Sequence, residues 1–206
     1  MIGYYNYTVI LTYIGTVFGF FGVCRATAGD LQTALYCLMI AGFCDLFDGK
    51  IASTMKRTKK EKRFGIQIDS LSDLICFGLL PATIVLKSTD GSTLYTAISA
   101  TYLLCALIRL AWFNVDEEER QNNADGERET YLGLPVTMSA ILMPFFYGLF
   151  KLLKLDIGTF YPWVMLAIAV AFVAPFKLKK PKTVGKIIMV IIGAGVLMTI
   201  ILGARV

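Results

Sequence analysis

Histidine is absent from the 206 residues of this chain. The absence excludes histidine-based proton relays, serine–histidine–aspartate triads, and zinc or haem sites with histidine ligands. Charge is also scarce, because 17% of the residues are charged, whereas a typical soluble domain has about 25%. Hydrophobic residues make up 56% of the chain, and the mean hydropathy is +0.65. The composition argues against a single water-soluble globule and indicates an integral membrane protein.

Paired cysteines are also lacking. The five cysteines are scattered through apolar stretches without a C-x-x-C pair, which is typical of small buried hydrophobic residues and predicts no disulfide framework. They are Cys24, Cys37, Cys44, Cys76 and Cys105. No Lys or Arg precedes the first apolar run, so we do not expect a signal peptide at the N-terminus.

Seven apolar runs predict seven membrane-spanning helices, since ~20 apolar residues cross the hydrocarbon core of a bilayer. The runs are Tyr5–Cys24, Leu31–Phe47, Ile68–Leu86, Leu94–Phe113, Val136–Leu153, Phe160–Phe176 and Ile187–Leu202. The predicted fold class is an all-α, polytopic membrane bundle of about six core transmembrane helices plus a seventh. We expect residues 1–206 to form a single membrane-embedded domain.

The basic residues predict the orientation of the chain. Three charged connections, Gly49–Phe64, Asp116–Gly133 and Lys177–Lys186, share one side of the membrane by parity and hold fourteen Lys and Arg residues. The other side holds five, and Arg109 lies inside the fourth run. Because positive residues favour the cytoplasm, we expect a multi-pass cell-membrane protein with a cytoplasmic N-terminus and an external C-terminus. The net charge of +5 therefore indicates topology, and no nucleic-acid partner is expected.

Four carboxylates stand near the cytoplasmic edge of the predicted bilayer. Asp45 and Asp48 end the second run with i, i+3 spacing, and Asp69 and Asp73 begin the third with i, i+4 spacing. Each pair therefore lies on one face of its helix. If the two helices pack as antiparallel neighbours, the four carboxylates converge, and their mutual repulsion requires cations between them.

The residue types favour particular cations. Oxygen ligands, with no histidine or cysteine expected nearby, predict Mg²⁺ or Mn²⁺, with Ca²⁺ as an alternative, rather than zinc. Two such ions suit the handling of a pyrophosphate. Gly49, Ala52 and Gly65 accompany the carboxylates, and small residues allow a ligand or another helix to approach the backbone. The alternative is that the aspartates cap helices or pair with the basic loop.

Two stretches of sequence carry a family resemblance. Residues 45–52 read D-L-F-D-G-K-I-A, and residues 65–73 read G-I-Q-I-D-S-L-S-D. This resembles the signature of the CDP-alcohol phosphotransferases: D-x-x-D-G-x-x-A-R, a spacer, then G-x-x-x-D-x-x-x-D. The resemblance implies transfer of a phosphatidyl-type group from a CDP-linked lipid to an alcohol, with release of CMP. It also implies a homodimer.

The same resemblance implies roles for individual residues. Two divalent cations would be held by Asp45, Asp48, Asp69 and Asp73, and Asp73 would also be the general base on the acceptor hydroxyl. Substrate-binding positions would include Gly49, Ala52, Ser53, Gly65 and Thr12. The catalytic motif thus covers residues 45–73.

The chain departs from the signature at two points. Ser53 stands where the family has Arg, and the spacer before Gly65 is longer and strongly basic. Lys50, Lys56 or Arg57 is a candidate to replace that Arg near the CDP phosphates. Alternatively, the basic spacer sets the topology and contacts anionic lipid headgroups, or Ser53 weakens catalysis.

Segments outside the motif resemble one branch of the family, and this branch indicates the acceptor alcohol. The segments 65–81, 109–114 and 133–135 are most similar to the phosphatidylserine synthase branch, and the similarity covers roughly residues 9–145. Thr12 and Gly19 keep the spacing of that branch, whereas Val9 stands where it usually has Asn. The implied substrates are CDP-diacylglycerol and L-serine, and the implied product is phosphatidylserine, formed at a site that faces the cytoplasm.

The sequence leaves open the role of Arg109 and the identity of the acceptor. Arg109 is a candidate to bind the serine carboxylate, or else it reaches the membrane interface or pairs with an aspartate. The acceptor could instead be glycerol 3-phosphate or inositol phosphate, whose phosphate the basic loop would bind. A non-enzymatic cation transporter is disfavoured, because its carboxylates would be expected deeper in the bilayer.

Overall fold

Seven α-helices form most of the computed structural model, which describes residues 3–52, 54–123, 130–179, 185 and 191–198. They are α1 (Tyr7–Thr27), α2 (Leu31–Ala52), α3 (Lys59–Asp73), α4 (Leu80–Ser88), α5 (Thr93–Asn123), α6 (Ser139–Leu152) and α7 (Ile157–Val173). A π-helical segment, Leu74–Leu79, joins α3 to α4, and a 3₁₀ turn, Val136–Met138, leads into α6. The predicted all-α fold class is confirmed. Of the predicted seventh run, residues 191–198 are described and are helical.

The outer surface of the bundle is apolar. By length and composition, Tyr7–Thr27, Lys59–Ser88 and Thr93–Glu119 can each cross a membrane, and two shorter helical stretches, Val136–Leu152 and Ile157–Val173, are also apolar. Large hydrophobic side chains such as Val17 (68% exposed) and Phe20 (65% exposed) point outward from α1. Because water would penalise so much exposed apolar area, lipid is the environment that this surface fits.

Close packing of α1 against its neighbours depends on glycines along one face. A Cβ atom at Gly19 would lie 2.5 Å from the sulfur of Cys76, and one at Gly22 would lie 2.9 Å from the Cβ of Cys37. Both distances are shorter than van der Waals contact. The missing side chains therefore allow α1 to lie directly against α2 and the π-helical segment.

The π-helical segment is fixed by partners from two other helices. The Tyr102 hydroxyl of α5 donates to the carbonyl oxygen of Phe77 at 2.7 Å, and Ser139 of α6 donates to the same oxygen at 3.5 Å. Tyr102 and Phe77 both belong to the buried core. π-helical turns are rare and often occur at functional sites. This one begins directly after Asp73, so its position indicates a functional site at that end of α3.

The predicted loop between the second and third apolar runs is shorter than expected. α2 continues to Ala52 and α3 begins at Lys59, so the predicted Gly49–Phe64 loop is reduced to residues 53–58. A capping box starts α3: the Glu61 amide donates to the Thr58 hydroxyl at 3.3 Å, and the Thr58 amide donates to the Glu61 carboxylate at 2.8 Å. The change from apolar to polar sequence does not coincide with the ends of α2 and α3, because both helices continue into the polar sequence.

The predicted connection Asp116–Gly133 is also shorter than expected. Its acidic residues 116–119 lie within α5, which continues to Asn123. Glu118 pairs with Arg63 of α3 at 3.1 Å. The pair links the extramembrane ends of the two helices.

A short antiparallel ribbon also connects two predicted loops. β1 (Thr130–Leu132) pairs with β2 (Lys177–Lys179), with Tyr131 opposite Leu178. Next to it, the amides of Gly133 and Leu134 donate to the carbonyl oxygens of Phe176 at 2.8 Å and Ala171 at 2.9 Å. The Gly133-Leu134-Pro135 segment therefore attaches the chain before α6 to the end of α7.

Candidate metal and substrate site

Four aspartates meet where the ends of α2 and α3 approach each other. The carboxylate oxygens of Asp45, Asp48 and Asp69 all lie within 4.8 Å of one another. Asp73, 8% exposed, lines the same pocket one helical turn deeper than Asp69. The convergence that the two helical spacings predict is thus present in the structure.

The electrostatics of this cluster require a compensating charge. Two unit negative charges 4.8 Å apart repel by about 3.5 kcal/mol at an effective dielectric constant near 20. Oxygens around Mg²⁺, at about 2.1 Å from the ion, are at most about 4.2 Å apart, and around Ca²⁺ the limit is nearer 4.8 Å. The three carboxylates therefore fit the ligand set of a hard divalent cation with small side-chain movements.

α1 provides one wall of the site through hydroxyl groups. The Thr12 hydroxyl donates to Asp48 Oδ2 at 3.2 Å, so this residue, for which the resemblance implies substrate binding, contacts the carboxylate cluster. Thr16, one turn further, donates to the Ser72 hydroxyl at 2.7 Å, and Ser72 donates to the Thr12 carbonyl oxygen at 3.4 Å. The sequence reading missed Thr16 and Ser72. Their signal was the i, i+4 spacing of the two threonines and the position of Ser72 beside Asp73.

The rest of the pocket is nearly apolar. Cys76 donates through its sulfur to the carbonyl oxygen of Gly15 at 3.3 Å, which closes the inner end of the pocket. The remaining lining residues are Leu11, Ala41, Cys44 and Phe77. Two cysteines, Cys44 and Cys76, therefore line the pocket beside the carboxylates, which corrects the expectation that no cysteine lies near them.

The small residues of the motif differ in their surroundings. Gly49 is exposed, and a Cβ atom added to it would meet no atom within 4 Å. Ala52 and Gly65 are half-buried, and Nη1 of Arg57 lies 3.1 Å from the position that a Cβ of Gly65 would occupy. Ser53 lies outside the described residues. Open space therefore lies over Gly49, whereas a guanidinium group lies over Gly65.

Arg109 is buried inside the bundle. Its side chain is 6% exposed, and its guanidinium carbon lies 5.7 Å from the centroid of the Phe113 ring. This burial contradicts the alternative in which Arg109 extends to the membrane interface. Arg109 is not among the residues that line the carboxylate pocket.

The α5 helix is nevertheless attached to the site at a nearby point. The Ser70 hydroxyl donates to the Asn114 side-chain oxygen at 2.8 Å, directly beside Asp69 in the sequence. Both residues lie in segments that resemble the phosphatidylserine synthase branch, and the sequence did not predict a contact between them. A link between residues 44 positions apart has no local signal.

Comparison with known proteins identifies the family of this chain. Residues 5–175 match the family described as CDP-alcohol phosphatidyltransferase, and all ten predicted site residues lie within that range. The chain belongs to this family. The matched range covers well over half of the sequence, so the family assignment includes α1 to α7.

Curated members of the phosphatidyltransferase family show which branch is similar. The archaetidylserine synthase of Methanothermobacter thermautotrophicus is 27% identical over 139 residues, which are 67% of this chain and 56% of that protein. The CDP-diacylglycerol–serine O-phosphatidyltransferase of Saccharomyces cerevisiae is 30% identical over 114 residues, covering 55% and 40% respectively. The Bacillus subtilis enzyme of the same name is 22% identical over 157 residues, covering 75% and 82%.

The matches differ in extent. This phosphatidyltransferase-family chain spans about half the length of the first two of these relatives. All three are named for serine transfer, which supports the predicted phosphatidylserine synthase branch.

Proposed function

We propose that this protein transfers the phosphatidyl group of CDP-diacylglycerol to the hydroxyl of L-serine, with release of CMP. The observation that carries the proposal is the convergence of Asp45, Asp48, Asp69 and Asp73 in a member of this family. The names of the similar proteins support serine as the acceptor.

The proposed reaction is a single substitution at phosphorus. The serine hydroxyl oxygen attacks the phosphorus that carries diacylglycerol, and the bond from that phosphorus to the bridging oxygen of the pyrophosphate breaks. CMP leaves with the bridging oxygen, and Asp73 accepts the proton of the serine hydroxyl. The burial of Asp73 keeps this carboxylate away from bulk water, so that the acceptor hydroxyl is its proton donor.

Divalent cations are part of the proposal. Asp45, Asp48 and Asp69, together with Asp73, would hold two Mg²⁺ or Mn²⁺ ions, with Ca²⁺ as an alternative. When bound, such ions offset the negative charge of the pyrophosphate. The Thr12 hydroxyl holds one carboxylate oxygen of Asp48 in place for this role.

The remaining site residues are proposed to position the two substrates. The nucleotide and pyrophosphate bind beside Gly49, Ala52, Ser53 and Gly65, with open space over Gly49 and the Arg57 guanidinium group over Gly65. The acyl chains stay in the inner leaflet beside the apolar outer face of the bundle. Arg109 pairs with the serine carboxylate, and the site faces the cytoplasm within a single domain of residues 1–206 that forms a homodimer.

A second acceptor class has one observation in its favour. Six of the seven basic residues between positions 50 and 63 are exposed, and such a positively charged stretch would attract a phosphate-bearing alcohol. Glycerol 3-phosphate and inositol phosphate are therefore the competing acceptors. Family membership favours this enzymatic chemistry over cation transport.

Release of CMP tests the proposal directly. Purified protein in detergent–phospholipid micelles would receive CDP-diacylglycerol with serine, glycerol 3-phosphate or inositol phosphate, each with Mg²⁺ or Mn²⁺ and with EDTA. We expect CMP release with serine and a metal ion only. Release with a phosphorylated acceptor would reassign the substrate, and release with none of the three would contradict phosphatidyl transfer to these alcohols.

A further inference from the structure

One basic residue of the link between α2 and α3 differs from its neighbours. Seven Lys and Arg residues lie between positions 50 and 63, all within the described part of the chain. Six of them are exposed, whereas Arg57 is half-buried. They are Lys50, Lys56, Arg57, Lys59, Lys60, Lys62 and Arg63. Partial burial removes water from the Arg57 side chain, so we expect neighbouring protein groups to contact it.

The surroundings of Arg57 are a glycine on α3. Its Nη1 atom lies 3.1 Å from the point where a Cβ of Gly65 would be, so the missing side chain provides the space for the guanidinium group. Gly65 precedes Asp69 by four residues, which is about one helical turn, or roughly 6 Å of rise, on the same face. The cation therefore lies on the face of α3 that leads to the carboxylate cluster.

The N-terminal segment fixes the link on both sides of Arg57. The hydroxyl groups of Tyr7 and Thr54 are hydrogen-bonded at 3.1 Å, before Arg57 in the sequence. The Asn6 side-chain amide donates to Glu61 at 3.3 Å, and the Tyr4 ring packs edge-on against Phe64 with centroids 5.3 Å apart. These contacts join the N-terminal segment to residues on both sides of Arg57 in the sequence.

We infer that Arg57 binds the diphosphate of the CDP-linked lipid, in the place of the arginine that the motif would carry at position 53. This inference rests on the proposed function. A planar guanidinium group donates two parallel hydrogen bonds to phosphate oxygens, and a glycine beneath it leaves its outer face accessible.

Binding of CDP-diacylglycerol tests the inference without any acceptor. Thermal unfolding of wild type, Arg57→Gln and the neighbouring control Lys56→Gln would be followed in detergent against CDP-diacylglycerol concentration with Mn²⁺ present. We expect roughly 10- to 100-fold weaker binding for Arg57→Gln, the range expected for a lost charged hydrogen bond, and little change for Lys56→Gln. Equal binding by the two variants would overturn the inference.

Two further variants separate binding from a structural role. Glu61 is close enough to Arg57 for an electrostatic interaction. If Arg57 acts only through this interaction, Glu61→Gln weakens lipid binding as much as Arg57→Gln does, and the inference fails. If Arg57 replaces the missing motif arginine, Ser53→Arg restores binding to the Arg57→Gln protein and adds little to the wild type.

Activity assays distinguish the two proposals. An increase in KM for CDP-diacylglycerol with an unchanged KM for serine is expected of Arg57→Gln. Wild-type protein that binds CDP-diacylglycerol through Arg57 but releases no CMP with serine would contradict the proposed function alone. Wild-type protein that does not bind CDP-diacylglycerol would contradict both.

Discussion

The Thr12 hydroxyl donates a hydrogen bond to Asp48 Oδ2 at 3.2 Å across the interface of α1 and α2. The bond orients a carboxylate that is a candidate metal ligand. Hydrogen bonds to metal-binding side chains raise the affinity of a site for its metal ion. Thr12→Val keeps the shape of the side chain and removes the donor. We expect about 10- to 100-fold weaker Mn²⁺ affinity, measured from the metal dependence of activity. Thr101→Val, an exposed position on α5, is the matched control; equal metal dependence in both variants would argue against this role.

The carboxylate cluster predicts an effect of metal on stability. A bound ion at 100 times its Kd adds about 2.7 kcal/mol to the free energy of unfolding. Wild-type protein should therefore show a higher Tm with Mn²⁺, and Asp69→Asn should show a much smaller increase. Without metal, Asp69→Asn should be at least as stable as wild type, because one repulsive charge is removed. Glu119→Gln, exposed on α5, serves as the control, and an undiminished metal effect in Asp69→Asn would contradict the assignment.

The attachment of the α6 segment to α7 depends on Gly133. Its φ angle is +71°, and a Cβ atom there would lie 2.6 Å from the carbonyl oxygen of Phe172. Gly91 has a similar φ angle of +70° with no atom within 4 Å of that point, so Gly91→Ala measures backbone strain alone. We expect Gly91→Ala to cost about 1 kcal/mol and Gly133→Ala distinctly more. The free energy of unfolding of each variant, measured in detergent, checks this. Equal losses of stability in the two variants would contradict the close packing of Gly133 against Phe172.

The turn between α1 and α2 predicts an acid-sensitive contribution to stability. Asp30 accepts from Arg25 and from the Thr33 amide, and these bonds lower its pKa from 3.8 to about 2. A lowered pKa means that the folded state favours the charged form. The contribution is therefore complete above pH 3.8 and is lost as the pH falls through about 2.

Asp30→Asn removes this titration. We expect Tm to fall less between about pH 5 and pH 2.5 in the variant than in the wild type, measured by thermal unfolding in detergent. Equal decreases in the two proteins would show that Asp30 does not stabilise the turn through its charge.

The sequence predicted the face on which each carboxylate pair lies, from the i, i+3 spacing of Asp45 and Asp48 and the i, i+4 spacing of Asp69 and Asp73. The meeting of the two pairs was conditional on the packing of the two helices as antiparallel neighbours. In the structure α1 packs against both α2 and α3, and the four carboxylates meet where the ends of those helices approach each other. Thr12 followed from the resemblance. The helix faces depend on local spacing, which the sequence contains directly.

Other features depend on contacts that have no local signal. The ends of α2 at Ala52 and α5 at Asn123 were not predicted, because the helices continue beyond the apolar runs into water. The β1–β2 ribbon joins segments about 47 residues apart through backbone atoms. The burial of Arg57 among seven basic residues depends on the N-terminal segment and Gly65, so the sequence left Lys50, Lys56 and Arg57 equivalent.

Serine-dependent CMP release by Asp73→Asn protein, compared with wild type, tests the central claim most directly. Asparagine has nearly the same volume but cannot accept the hydroxyl proton as a carboxylate does. The account predicts at least a 10²-fold loss of kcat, the scale of a positioned general base, with retained CDP-diacylglycerol binding and a helical circular-dichroism spectrum. Activity near the wild-type rate in a folded Asp73→Asn protein would contradict the assignment of the site.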